Sequence, residues 1–411
     1  MAIGSDISYP SSSTIDTARS IATTIRKNLR DIDKNAMRKR ILPALVQRDG
    51  GIEYNVSGAG VDWPMQDRIH DEAPNDGTNR REFVPQNLWR QANLQFGGTE
   101  VKDSIKKGEM LANRGREAII RVAGDMKENL ENSIGEKFAP HYYDDGDSTS
   151  FGLYGFNSFC AVKQATSVDQ SFNWGTAGAT PSNSERNLSV NDPIVVPGDQ
   201  YAGLYTNLGY YGGAQQSGGW PEGIADTQFD AWVPLLINTN STFFGSISSW
   251  TGWQDNGDAA IRFGLLHAKR NTVRDEINII LMDRTLLYQL RELMLTNSPE
   301  RVLVTSESGV RSYGFKQVFE IDGVECSTEY GIPTTNAYRT STATVVRSAY
   351  GFSTKNIKIM SRFGTLFHPD EAFGEYTKET QSFDYCLETI CQFKFRSPRN
   401  FIKWAGWSAT S

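Results

Sequence analysis

The side chains best suited to metal or acid–base work are four histidines, His70, His141, His267 and His368. None stands in a His-x-x-x-His or Glu-flanked spacing that would hold zinc. His267 falls in a helical pattern beside Leu266, where packing accounts for it. Cys386 and Cys391 lie five apart in a strand pattern, so they face opposite sides and do not share a metal. Asp144, Asp145 and Asp147, with Gly146 among them, gather oxygen donors of the kind hard cations favour. Their spacing is not that of an EF-hand loop and no glutamate closes it, so a solvated turn is the simpler reading. The glycines between Gly203 and Gly223 are not followed by a helix pattern, so they present no helix N-terminus to phosphate. There is no Gly-x-Ser-x-Gly elbow. Nine tryptophans, with Asp62 and Asp67 near Trp63, invite a carbohydrate-active enzyme or binding module. A glycosidase needs two carboxylates at a set separation, which one sequence does not display. No catalytic, cofactor-binding or metal residue is therefore assigned, and no cofactor is expected.

The elements that would carry such groups are clearer. Ile21, Ile25, Leu29 and Ile32 share one helix face, with Arg26, Lys27, Arg30 and Lys34 mostly off it. Pro43 is expected to interrupt this helical arm, which lacks a core of its own and must pack on something else. Ile52, Tyr54 and Val56, then Val61 and Trp63, alternate as a strand, and Pro64 confines it to an edge. Ala92, Leu94 and Phe96 alternate with Trp89, Gln91, Asn93 and Gln95. With Asp76-Gly77 and Arg80-Arg81 between them, the two runs predict a long β-hairpin that a compact domain does not need. Val122, Met126, Leu130, Ile134 and Phe138 make one stripe of a helix over 115–138, ended by Pro140. Residues 160–225 are loop-rich. A helix over 257–271, a strand at Ile277–Leu281, a helix capped by Asp283 and a hairpin turning at Asp322-Gly323 follow. Phe383, Tyr385, Leu387, Cys391, Phe393 and Phe395 share one parity of a long half-buried strand.

The chain has 411 residues and a net charge of −6. Residues 1–48 carry nine basic and four acidic side chains, +5, which leaves −11 for the rest. A basic arm on an acidic body calls for an acidic partner, either nucleic acid or the body of another copy. The body has the wrong sign for a strong general DNA binder. Four cysteines do not make a disulfide scaffold, and no apolar run reaches membrane-spanning length. A soluble protein of a reducing cytosol is expected.

Basic arm, long hairpin, spine helix, α/β region and closing strands, in that order, resemble the major capsid protein of tailed bacteriophages, the Hong Kong 97-type fold. The phrases that carry the resemblance are Gly51 to Asp67 with Val61-Asp62-Trp63-Pro64, Glu109 to Gly115 with the helix after it, Glu276 to Leu295, Gly314 to Pro333, and Phe393 to Trp407 with Ser397-Pro398-Arg399. The resemblance implies an α+β chain divided as N-terminal arm 1–48, extended loop 49–104, peripheral domain 105–159 with 350–411, insertion 160–225 and axial domain 226–349. It implies a building block and not an enzyme. Hexamers and pentamers would form an icosahedral shell around double-stranded DNA, in the virion, after assembly in the host cytoplasm. The partners implied are other copies, a portal, separate scaffold or cement proteins, and DNA held weakly. An encapsulin compartment of the same fold is the near alternative. Expected interface groups are Arg26, Arg30, Arg38 and Arg40 in the arm and Trp63, Arg68, Arg80, Arg81 and Trp89 in the hairpin. No lysine lies between Lys39 and Lys102, so the loop lacks the isopeptide lysine of some members and a noncovalent shell is expected. With the hairpin starting near residue 50, a scaffold is expected to be separate or absent.

Overall fold

Apolar residues three and four apart fold the N-terminal segment into three helices, α1 (Ser12–Lys27), α2 (Leu29–Arg38) and α3 (Ile41–Arg48). The computed structural model describes residues 12–66, 89–108, 116–146, 150–160, 194–195, 200–205, 232, 234–239, 244, 252–268, 277–297, 318–332, 347–371 and 373–405. Ile21, Ile25, Ile32, Met37, Leu42 and Val46 are buried. They pack on the chain's own long helix α4 (Arg116–Phe138) and its neighbours, so the described arm is a layer of its own subunit. Pro43 does not break it. Pro43 is the third residue of α3, where a backbone N–H has no partner within the helix. The break lies just before, where Arg40 is extended.

Helix α4 has 23 residues and so runs about 35 Å. Met126, Leu130, Ile134 and Phe138 are buried along its stripe. Pro140 ends the α-helix, and the chain continues as a 3-10 turn over Ala139–Tyr143.

Two sheets make the body. In the first, β16 (Ser382–Phe395) is the central strand. One edge pairs with β4 (Gly97–Lys106) from Ser382 to Cys391. The other edge pairs in turn with β15 (Glu375–Thr377), β14 (His368–Pro369) and β13 (Ile357–Ser361). Strand β1 (Ile52–Glu53) lies parallel to β13. The expected parity of β16 is observed, with Phe383, Tyr385, Leu387, Cys391, Phe393 and Phe395 buried. Strand β4 was not anticipated, because Lys102, Asp103, Ser104 and Lys106 dilute its alternation.

The second sheet is mixed, in the order β10-β11-β9-β12-β17-β8-β5. These strands are β5 (Ile194–Val195), β8 (Leu235–Asn238), β9 (Ile279–Met282), β10 (Val318–Ile321), β11 (Val324–Thr328), β12 (Ser348–Phe352) and β17 (Ile402–Ala405). Helices α5 (Gly252–Ala268) and α6 (Arg284–Asn297) pack on one another and on this sheet. Asp283 caps α6 as expected, its Oδ1 accepting from Thr285 N at 2.9 Å. Asp322 and Gly323 turn the β10–β11 hairpin with φ of 49° and 82°, values that suit a two-residue turn.

The stretch 393–405 is divided between the sheets. β16 ends at Phe395, a 3-10 turn over Pro398–Asn400 redirects the chain, and β17 enters the second sheet. Its partner does the same, since β12 leaves the second sheet and passes through a 3-10 turn at Thr354–Asn356 into β13. One antiparallel ribbon thus runs through both sheets, as β12/β17 and then β13/β16. Residue 350 lies within β12, just before this passage between the sheets. Aromatic side chains fill the crossing. Phe156 lies 5.0 Å from Phe352, 5.1 Å from Phe395 and 5.4 Å from Phe401, all fully buried. Each such ring contributes about 1.5–3 kcal/mol by leaving water.

Candidate subunit interface

The hairpin forms as the alternation predicts. Strands β2 (Gly60–Gln66) and β3 (Trp89–Gln95) pair antiparallel from Gly60↔Gln95 to Gln66↔Trp89, and join neither sheet. Val61, Trp63, Met65, Ala92 and Leu94 are buried, whereas Asp62, Pro64, Gln91, Asn93 and Gln95 face outward.

Trp63 anchors this ribbon to its own chain. It is 4% exposed, its indole Nε1 donates to Arg396 O at 3.3 Å, and its ring packs 6.2 Å from Tyr201. Lys394 Nζ lies 5.3 Å over the same ring. Burial holds the Lys394 ammonium below its usual range, as do the positive charges of Lys358 and Arg396. Tyr201, in the short strand β6 (Gln200–Tyr201) paired with β7 (Leu204–Tyr205), donates to Phe393 O and accepts from Phe395 N. Ala202 O accepts from Asn93 N at 3.1 Å. The insertion therefore seats the ribbon on β16.

Gln392 closes the root, and sequence reading missed it because it sits on the polar parity of β16. It is fully buried. Its Oε1 accepts from Tyr154 N and Phe393 N, both at 2.9 Å. Its Nε2 donates to Gln95 O at 2.5 Å and Gly152 O at 2.9 Å. One side chain thus ties the ribbon, the central strand and the 150–154 loop together. Its only sequence signal is an amide among the charged residues Asp384, Glu388 and Lys394 of that parity.

The arm is fixed by two buried carboxylates. Asp33 accepts from Leu366 N at 2.9 Å and Phe367 N at 3.2 Å, and burial pushes its carboxyl up to about 6. Glu329 accepts from Leu42 N at 3.3 Å, at the start of α3, and burial raises its pKa also. Arg40 forms an ion pair with Glu136 of α4, and its guanidinium lies 5.3 Å over the Tyr330 ring.

The expected interface residues are placed as follows. Arg26 is exposed on α1, 5.8 Å over the Phe373 ring, at the rim of an open cleft of about 500 Å³ that includes His368, Asp370 and Glu388. Arg38 is exposed near the end of α2, and Arg30 lies on that helix's backbone near its start. Arg40 is half-buried and Trp63 buried within the subunit. Trp89, 56% exposed, stands where the ribbon leaves the described residues. Arg68, Arg80 and Arg81 lie outside the described residues, as do Asp67, His70 and Asp147.

His141 Nδ1 is 2.6 Å from Asp144 Oδ2. Among the described residues no three His, Cys, Asp or Glu side chains gather as a metal site. All four cysteines are free, with Cys391 buried and Cys386 half-exposed on the opposite face of β16. Burial pushes the Cys160 thiol up to about 12 and Cys386 up to about 11, and Cys326 and Cys391 upward as well, so none is poised as a thiolate. His267 lies 4.2 Å from the Phe263 ring, a packing contact. Of the nine tryptophans that invited the glycan reading, Trp63, Trp232, Trp253 and Trp404 are core side chains. No described helix is long and apolar enough to cross a membrane.

No family model matches the chain, and no curated protein matches it. Several solved structures resemble it over most of its length. A chain of Gordonia phage Cozz is 12% identical with a TM-score of 0.43, over 89% of this chain and 86% of that one. A chain of the cyanophage A-1(L) capsid asymmetric unit is 11% identical with a TM-score of 0.46, over 87% and 92%. A chain of the satellite phage P4 procapsid is 9% identical with a TM-score of 0.37, over 88% and 89%. The chain is α+β, with mixed sheets and packed helices.

Proposed function

We propose that this chain is a shell-forming structural subunit of the Hong Kong 97 type, with no catalytic role. Copies of it would join as hexamers and pentamers into an icosahedral virion shell around double-stranded DNA, assembled in the host cytoplasm. A portal and separate scaffold or cement proteins would be its further partners. The observation that carries the reading is the β2/β3 ribbon. It pairs with neither sheet, is bolted at its root by Trp63 and Gln392, and its described strands end at Gln66 and the exposed Trp89. A rigidly rooted extension is what a subunit needs to reach a neighbour. Helical arm, α4 and the paired sheets follow the order that the sequence resemblance implies. Contacts with neighbours are assigned to Arg26, Arg38 and Trp89, and to Arg30, Arg68, Arg80 and Arg81 by their place in the chain. Arg40 and Trp63 support those contacts from within.

The test is to express the chain and view it by negative-stain microscopy after gradient sedimentation. Closed shells or hexameric rings, free of covalent multimers by mass spectrometry, are expected. A monodisperse monomer that persists at high concentration refutes the reading.

A further inference from the structure

The outer face of α6 carries an exposed stripe of arginine, tyrosine and leucine side chains. Arg284, Tyr288, Arg291 and Leu295 recur at four, three and four, so they share one stripe about 16 Å long. Tyr288 is 64% exposed and Leu295 40% exposed. Tyr330, 63% exposed, extends the stripe beyond the start of the helix. Arg284 Cζ lies 4.3 Å over the Tyr330 ring and its Nη1 donates to the Tyr330 hydroxyl at 2.6 Å, so the two side chains hold one another in place. Arg40 Cζ, from the arm, lies 5.3 Å over the same ring.

Among the described residues neither Arg284 nor Arg291 forms an ion pair. Tyrosine and arginine are the side chains over-represented in protein contacts, and held aromatics lose little entropy when covered. Two guanidinium groups with no ion pair among the described residues, set among exposed rings, suit a planar carboxylate partner. The chain itself supplies one. Outside the arm it carries −11, and Glu371 and Glu388 stand at the open cleft without an ion pair among the described residues.

We infer that the α6 stripe is a contact made with the acidic surface of a second copy of this chain. This rests on the shell reading and names a surface that reading leaves open. The two surfaces differ, so the contact is heterologous and closes only as a ring or a shell.

The test compares the full chain with an Arg284→Glu/Arg291→Glu double variant and with Tyr288→Ala, by gradient sedimentation and negative-stain microscopy. Circular dichroism melts check folding, which exposed positions leave intact. The double variant is expected to lower the assembled fraction about tenfold or more, and Tyr288→Ala severalfold. Raised salt should weaken the wild type in the same direction. If the wild type assembles and the double variant matches it within about twofold, the inference is overturned while the shell reading stands. Normal assembly of the double variant with loss of DNA retention also overturns it, since the stripe would then face nucleic acid. If the wild type itself does not assemble, the shell reading fails and this inference falls with it.

Discussion

Replacing Lys403 with methionine should stabilise the subunit. Lys403 sits on β17 and is 4% exposed. Its Nζ donates to Asn157 Oδ1 at 2.9 Å and lies 5.5 Å over the Tyr350 ring, and among the described residues no carboxylate pairs with it. Burial pulls its pKa from 10.5 down to about 8. That gap corresponds to about 3 kcal/mol against the charged form, at about 1.4 kcal/mol per pKa unit. The unfolded chain holds this proton up to 10.5 and the folded chain only to about 8. Unfolding free energy from this group therefore rises with pH across that window, and below it the whole penalty stands. Methionine removes the charge and keeps the unbranched shape. It forfeits one hydrogen bond, about 1 kcal/mol, and Asn157 Oδ1 still accepts from the Tyr350 hydroxyl at 3.0 Å. The expected net gain is about 2 kcal/mol at neutral pH, shrinking above pH 8. Urea unfolding of both proteins at pH 7 and pH 9.5, followed by tryptophan fluorescence, reads the difference directly. A Lys403→Met protein that is less stable at pH 7, or whose difference does not change with pH, would show that the charge is compensated by something other than these contacts.

Three other changes bear on the arm and the hairpin root. Because Asp33 is raised from 3.8 to about 6, the arm should hold most tightly below pH 4 and loosen as pH rises through 6. The change amounts to at most about 3 kcal/mol, read by hydrogen exchange at the Leu366 and Phe367 amides. Gln392→Leu should cost about 3–5 kcal/mol, because it strands Tyr154 N and the carbonyls of Gln95 and Gly152 away from water; denaturant midpoints measure it, and unchanged exchange of the β2/β3 amides would contradict the clamp. Gly97→Ala should destabilise by more than about 2 kcal/mol, since a Cβ there would meet the backbone oxygens of Gly152 and Phe151 at 2.4 and 2.5 Å; a thermal melt matching the wild type would mean that the 150–154 loop yields.

Periodicity carried most of what was legible. The stripe of α4, the parity of β16, the cap at Asp283 and the turn at Asp322-Gly323 each follow from local rules, and local rules can be read one residue at a time. What escaped was set at a distance. β4 is a strand because β16 offers it ten partners in register, although its own charged sequence barely alternates. Pro43 looked like a break because proline is costly inside helices, yet its position in the first turn removes the cost. The arm looked like a reach toward a neighbour because its apolar face had no visible partner, and that partner is α4, encoded some ninety residues later. Gln392 and Tyr201 join segments far apart in sequence, so no spacing pattern announces them.

The ribbon that threads both sheets has a mechanical consequence. Two antiparallel strands held by transverse hydrogen bonds resist stretching along their length, because many bonds are loaded together. They yield most easily where those bonds stop. In this chain the regular pairing is interrupted between Gly351↔Ile402 and Ile357↔Phe395, where the bond from Arg396 N to Asn356 O spans the gap. A bend of one sheet relative to the other therefore meets the least resistance from the ladder about the line joining the two 3-10 turns there. Translation would have to break the ladder on one side or the other. A subunit built this way can change its curvature without changing its span.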